Sequence, residues 1–235
     1  MEARRWGMEP DQAGTQMDGH PDRWRAFAVI SVAVFISILD LFIVNIAFPD
    51  IQRDYSTAGL SELSWVLNAY AIVLAALLVP FGKLGDLVGR RRVFELGLVT
   101  FIVGSALAAA APSLELLIGA RALQGIGAAA LTPTSLSLIL PLFPTRQRAT
   151  VIGAWAALGG VGAAMGPVLG GLLVQASWRW IFLVNVPLGI VTVFLVHRRF
   201  KEVRDEKASL PDVAGSRAFP FPWTRPRVTA GSDTA

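Results

Sequence analysis

Cysteine is absent from the 235 residues, and histidine occurs only at His20 and His197. Disulfides and thiolate metal sites are thereby excluded, and two histidines this far apart offer no metal-enzyme ligand set. No arrangement of nucleophile, base and acid is visible either, so the chain reads as a non-enzyme with no cofactor. Charge is also scarce: 16% of residues are charged against 54% hydrophobic, with a mean hydropathy of +0.55. That balance is too apolar for a water-soluble domain of this length and points to a membrane.

What is present is a series of long apolar runs. A helix crossing the hydrocarbon core needs about 20 mostly apolar residues. Six stretches meet that need, at about 26–48, 63–81, 93–111, 114–140, 151–174 and 180–197. The first is too long for a signal-peptide core and contains Asp40, so it reads as a permanent span. The connections at 112–113, 144–149 and 175–179 are short and force antiparallel neighbours. The expected fold is an all-α integral membrane bundle of six transmembrane helices over residues 26–200. A polar cytoplasmic tail, disordered by composition, precedes it at 1–25. A polar, Pro-rich cytoplasmic tail follows at 201–235, with Pro211, Pro220, Pro222 and Pro226 and no further apolar run.

A pI near 10.1 would suit nucleic acid if the bases were spread over a soluble surface. They are instead grouped at alternate ends of the runs. Arg4, Arg5, Arg23 and Arg25 precede the first run; Lys83 and Arg90 to Arg92 separate the second and third; Arg146 and Arg148 separate the fourth and fifth. Arg198, Arg199, Lys201, Arg204 and Lys207 follow the sixth, while the other connections hold only Arg53 and Arg179. The positive-inside bias then places both termini in the cytoplasm of a multi-pass cell-membrane protein. Membrane lipid is the implied partner, and nucleic acid is not needed to explain the basic residues.

Four segments carry more than hydropathy. Residues 82–92 order Gly82, Lys83, Gly85, Asp86, Gly89, Arg90 and Arg91 in a compact charged loop, where Asp86 can accept hydrogen bonds from the next helix or pair with an arginine. An ordinary basic loop is the simpler reading, but charge alone does not require this glycine and aspartate spacing. In the first run, Leu39-Asp40-Leu41-Phe42-Ile43-Val44-Asn45-Ile46-Ala47-Phe48-Pro49 holds an intramembrane carboxylate; such groups face a cavity or a partner, or serve only as an interhelical hydrogen bond. In the fourth run, Arg121, Gln124, Gly125 and Gly127 recur in one motif. In the fifth, Gly153, Gly162, Gly166, Pro167, Gly170 and Gly171 place small residues every four positions, a bare face for close helix packing with a proline that permits a bend. The segment from Ser177 to Gly189 opens the sixth run. Its Trp178 and Trp180 suit an interfacial aromatic belt, while Trp65 and Trp155 read as bundle filling.

These segments together resemble the major facilitator superfamily, in particular the N-terminal half of the fourteen-span drug:proton antiporters, over about residues 26–200. Phe42 and Phe48 depart from the family's first-helix pattern, and Phe42 replaces a hydroxyl with a ring. The resemblance implies that residues 82–92 latch an inward-facing gate, that Arg121 takes part in proton coupling and that the Gly153 to Gly171 motif marks an antiporter. Counting inward at 1.5 Å per residue puts Asp40 about 12 Å and Arg121 about 10 Å below the outer helix ends. The expectation is that they pair, directly or through Gln124, and that protonation of Asp40 loosens the pair. A nearby cation favours the charged carboxylate and desolvation the neutral one, so a cavity that opens and closes would move the balance.

Transporters of this superfamily comprise two six-helix halves with substrate held between them near the midplane. One half is legible here. The functional expectation is therefore proton-coupled efflux of drug-like or other small hydrophobic compounds by a truncated transporter that lacks its second half. Two alternatives stand beside it: a half-size carrier that homodimerises, and a non-transporting membrane subunit or inactive gene remnant.

Overall fold

The computed structural model describes residues 23–199. The tails expected at 1–25 and 201–235 fall outside that range except for residues 23–25, which already belong to the first helix. Among the described residues all regular elements are helical: α1 (Arg23–Asp54), α2 (Leu60–Leu63), α3 (Trp65–Val88), α4 (Arg90–Ala109), α5 (Leu114–Ile139), α6 (Thr145–Val174), α7 (Trp180–Leu183) and α8 (Asn185–Arg199), with a single 3-10 turn at Leu140–Leu142. Six units are long and apolar enough to cross a membrane, α2 running into α3, α5 into the 3-10 turn and α7 into α8. The expected six-helix architecture is the one observed.

Several helix ends extend beyond the sequence expectation. The first span continues through Pro49 to Asp54, six residues past Phe48. Pro49 removes one backbone donor without stopping the helix, and nearby Asn45 turns its side-chain amide back onto the carbonyls of Leu41 and Phe42 at 3.1 and 3.3 Å. Residues 82–92 are not a loop. α3 runs through Gly82, Gly85 and Asp86 to Val88, and α4 starts at Arg90, leaving Gly89 alone between them. Helical bonds satisfy the backbone internally, which is the favoured state where the chain leaves the apolar layer. Gly89 breaks the run because it adopts φ 124° and ψ 126°, a conformation that side-chain-bearing residues rarely take. Its N–H still donates to Gly85 O at 3.0 Å.

The helices alternate in direction, so the start of α1, the α3–α4 junction, the turn before α6 and the end of α8 share one end, here called the basic end. α5 is central and packs on α3, α4 and α1; α1 packs along α6, and α8 lies across α4 and α1. Two apolar cores result. One, toward the end opposite the basic residues, is built on Ile43, Ala47, Leu63, Leu117, Trp178 and Phe182. The other, toward the basic end, is built on Ile36, Tyr70, Phe94, Phe101, Leu131 and Phe143. Along α1, α4 and α5 the polar residues Asp40, Ser105, Arg121 and Gln124 fall between the two.

Burial is uneven among the spans. In the most apolar stretch of α1 and of the α5 span, 56% of residues are buried, against 22% for the α2–α3 span and 17% for α6. α3 and α6 therefore leave apolar side chains such as Ile72, Val79, Val168 and Leu172 open.

Candidate functional site

The polar layer is a closed hydrogen-bonded cluster. Asp40 and Arg121 are 1% and 0% exposed, and Arg121 Nη1 donates to Asp40 Oδ2 in a buried ion pair. The same Nη1 donates to Gln124 Oε1 at 2.9 Å, and Arg121 Nε to the carbonyl of Val66 at 3.0 Å. Gln124 Nε2 donates to Asp40 Oδ1 at 3.1 Å and to Ser105 Oγ at 2.7 Å. Asn185 Nδ2 reaches the same two oxygens at 3.2 and 3.4 Å. The guanidinium lies 4.4 Å from the centre of the Tyr70 ring, whose hydroxyl donates to Ser37 O at 2.8 Å. Every span except α6 contributes.

The structure thus brings Asp40, Arg121 and Gln124 together, with Gln124 bridging both charges. Three members were not anticipated from the sequence: Ser105, Asn185 and Tyr70. Asn185 lay within a segment already singled out, and its signal was a buried amide inside an apolar span. One donor, Arg121 Nη2, is buried without a hydrogen-bond partner. A half-satisfied guanidinium of this kind is available to a new acceptor without losing its existing bonds.

At the basic end, Arg90 Nε and Nη2 both donate to Asp86 Oδ1, at 2.9 and 2.8 Å, and Arg90 Nη1 reaches Ser137 O of α5 at 3.4 Å. Arg91 Nε donates to Glu95 at 2.8 Å, and its Nη2 donates to His197 O at 2.9 Å, tying α4 to α8. Gly85 makes close packing possible, because an added Cβ would meet Thr134 Cγ2 at 2.9 Å; Gly82 is less constrained, with Pro133 at 3.5 Å. The Asp86 and Arg90 pair is partly exposed, and exposed pairs contribute about 0.2–1 kcal/mol. Backbone strain at a residue forced to positive φ costs about 1–3 kcal/mol. Gly89→Ala should therefore lower the unfolding midpoint of the detergent-solubilised chain more than Asp86→Asn, and only the Asp86→Asn effect should fade in high salt. The reverse order would show that the ion pair, not the turn, holds the junction.

The small-residue face of α6 divides in two. Gly162, Gly166 and Gly170 abut α1, where an added Cβ would lie 2.9 Å from Ile38, 2.9 Å from Phe42 and 3.0 Å from Ile43. Phe42, the ring that departs from the family pattern, packs through its Cβ on Gly166. Gly153 and Gly171 have nothing within 4 Å of such a Cβ, and Pro167 is exposed, so these three are not on the packed face. Helical spacing explains the split: positions 153 and 171 fall off the four-residue stripe through 162, 166 and 170.

The tryptophans also differ from expectation. Trp178 is buried within the bundle instead of facing outward, and its Nε1 donates to Asp54 Oδ2 at 2.7 Å, an oxygen shared with Arg179 at 2.9 Å. Trp180 is half-exposed, as a belt residue would be. Trp65 is likewise half-exposed and not core filling, whereas Trp155 is partly buried with its Nε1 on Ser135 Oγ at 3.1 Å. The indole ring packs in the apolar core while its N–H reaches the exposed carboxylate of Asp54.

Residues 30–230 match the sequence pattern of the Major Facilitator Superfamily. The chain belongs to that superfamily. Its similarity extends to the multidrug resistance protein Stp of Mycobacterium tuberculosis, 41% identical over 80% of this chain and 35% of that protein. The multidrug efflux pump LfrA of Mycolicibacterium smegmatis is 42% identical over 77% and 36%. The riboflavin transporter RibZ of Clostridioides difficile is 38% identical over 84% and 43%. The chain thus spans less than half the length of these relatives. Among solved structures, an inward-facing bacterial homologue of the lysosomal transporter Spinster superposes with a TM-score of 0.70 at 20% identity, over 83% of this chain and 47% of that one. The proton:xylose symporter XylE superposes at 0.67 and 13%, over 75% and 44%. Such identities establish the fold alone. The superfamily is one of membrane transporters rather than enzymes, and the relatives agree with the resemblance to the N-terminal half of a drug:proton antiporter. This is a multi-pass membrane protein.

Proposed function

We propose that this bundle is the proton-handling half of an exporter of small hydrophobic compounds, working against a second six-helix bundle that meets its α3 and α6 faces. The carrying observation is the buried Asp40 and Arg121 pair bridged by Gln124. A charged carboxylate is costly at this depth, and a cation with two amide donors offsets that cost. Protonation neutralises Asp40 and removes the ionic part of the pair, after which Arg121 retains Gln124 and the Val66 carbonyl. The polar layer then has two arrangements of different charge, the element that a rocking mechanism can bias. The basic end is cytoplasmic on the positive-inside rule, in the cell membrane, and residues 82–92 serve there as the gate junction. The Gly162, Gly166 and Gly170 stripe, held against α1, supplies the stiff antiporter element. The relatives' names favour drug-like substrates over a single metabolite.

The poor burial of α3 and α6 supports the second bundle, which is either a further half or a second copy of this chain. The test is proton movement in inverted membrane vesicles containing the full chain, energised by respiration and challenged with ethidium or puromycin. The expected result is substrate-induced proton release that Asp40→Asn abolishes while ethidium still equilibrates down its gradient. Release undiminished in Asp40→Asn would remove Asp40 from coupling.

A further inference from the structure

On the flank formed by α4 and α8 lies an apolar groove of about 410 Å³, bordered by Val99, Ile102, Val103, Val193, Phe194 and His197. α4 and α8 touch where Ile102 packs directly on Gly189, and they are tied again where Arg91 donates to the His197 carbonyl at 2.9 Å. The groove lies along the eight residues from Ile190 to His197, about 10 Å of helix. Val99, Val103 and Phe194 are about half-exposed, so it opens on the side of the bundle rather than into the polar layer.

Its lining is apolar until the basic end, where the character changes. The Arg198 guanidinium sits 4.1 Å from the centre of the Phe194 ring, which fixes a cation on the groove wall. His197 is 70% exposed, and Arg91, which can only donate, lies 3.1 Å from its Nδ1. The same Nδ1 lies 3.5 Å from the Glu95 carboxylate, so Arg91 and Glu95 both face this side of the ring. Glu95, the acid nearby, is held by Arg91 at 2.8 Å.

We infer that this groove is a binding site for one anionic phospholipid, with an acyl chain between α4 and α8 and its phosphate on Arg198, beside the exposed ring of His197. A purely apolar occupant would leave the cation unmatched, and a soluble anion would leave the groove unfilled. An amphiphile with a negative head matches both parts. The site is independent of the transport reading above, since it faces away from Asp40.

Native mass spectrometry of the full chain tests it, titrating phosphatidylglycerol against phosphatidylcholine of identical acyl chains. One phosphatidylglycerol should be retained preferentially. Arg198→Gln, a surface change that leaves the core untouched, should reduce that preference about fivefold, the effect of one basic residue near a membrane surface. Arg146→Gln, at the same end but on α6, should leave it unchanged. Equal retention of the two lipids, or an equal loss in both variants, would overturn the site, because either result describes a diffuse basic surface.

Discussion

Replacing Arg121 with leucine should destabilise the bundle by about 3–5 kcal/mol, the loss expected when one member of a buried ion pair is removed. Asp40 would keep the amides of Gln124 and Asn185 on Oδ1 but lose the cation on Oδ2. The Val66 carbonyl would lose its donor, and the Tyr70 ring its stacked guanidinium. Asp40→Asn should cost less, because Arg121 would still have Gln124, Val66 and the Tyr70 face. The decisive comparison is the double variant. With Asp40→Asn in the Arg121→Leu background no buried charge remains, so the double variant should be more stable than Arg121→Leu alone. Chemical unfolding of the purified chain in micelles measures all three. Strictly additive losses would show that the two charges do not interact in the folded protein. Arg121→Lys should recover only part, since an ammonium cannot hold Asp40, Gln124 and Val66 with one planar fork.

That cluster also shows how far the sequence carried. Asp40 and Arg121 were legible because a charge inside an apolar run has few physical explanations, and similar depth made pairing the economical one. The pairing held although α1 ends six residues later than expected, because the long arginine side chain tolerates an error of a few ångströms in depth. Ser105 and Asn185 were not legible as partners. Serine and asparagine recur in these spans, and which of them turns inward depends on helix rotation about its own axis, set by tertiary contacts. The six spans followed from hydropathy, but their ends did not, since hydropathy marks where the apolar layer stops and not where helical hydrogen bonding stops. Gly89 illustrates this: charge suggested an eleven-residue loop, and one glycine at positive φ makes the whole turn. Trp178 was misread for a related reason, as its belt-like position in sequence gave no sign that Asp54, more than a hundred residues earlier, would accept its N–H.

The second large effect is expected at a residue with no side chain. Gly127→Ala should destabilise the bundle by at least about 1–3 kcal/mol, the usual cost of overpacking, whereas Gly171→Ala should be neutral or stabilising by up to about 1 kcal/mol through helix propensity. Both are glycines inside apolar helices, so propensity alone predicts a gain at each. Packing reverses the sign at Gly127, where a Cβ would stand 2.6 Å from Gly97 O and from Phe101 N. These are backbone atoms of α4 and cannot rotate away, so α4 would have to lift off α5. That displacement would also carry Ser105 away from Gln124, loosening the polar layer that the proposed coupling needs. At Gly171 nothing lies within 4 Å, and even leucine should leave unfolding unchanged. If the α6 face receives a second bundle, Gly171→Leu should nevertheless stop transport, separating assembly from folding in one substitution. The absence of cysteine makes the partner testable: Val168→Cys, on the same exposed face, would be the chain's sole thiol. Oxidation in membranes to a dimer of this chain would identify a second copy as the occupant. Failure to dimerise, together with transport lost in Gly171→Leu, would point to a different half, and transport that persists in Gly171→Leu would remove this face from the assembly.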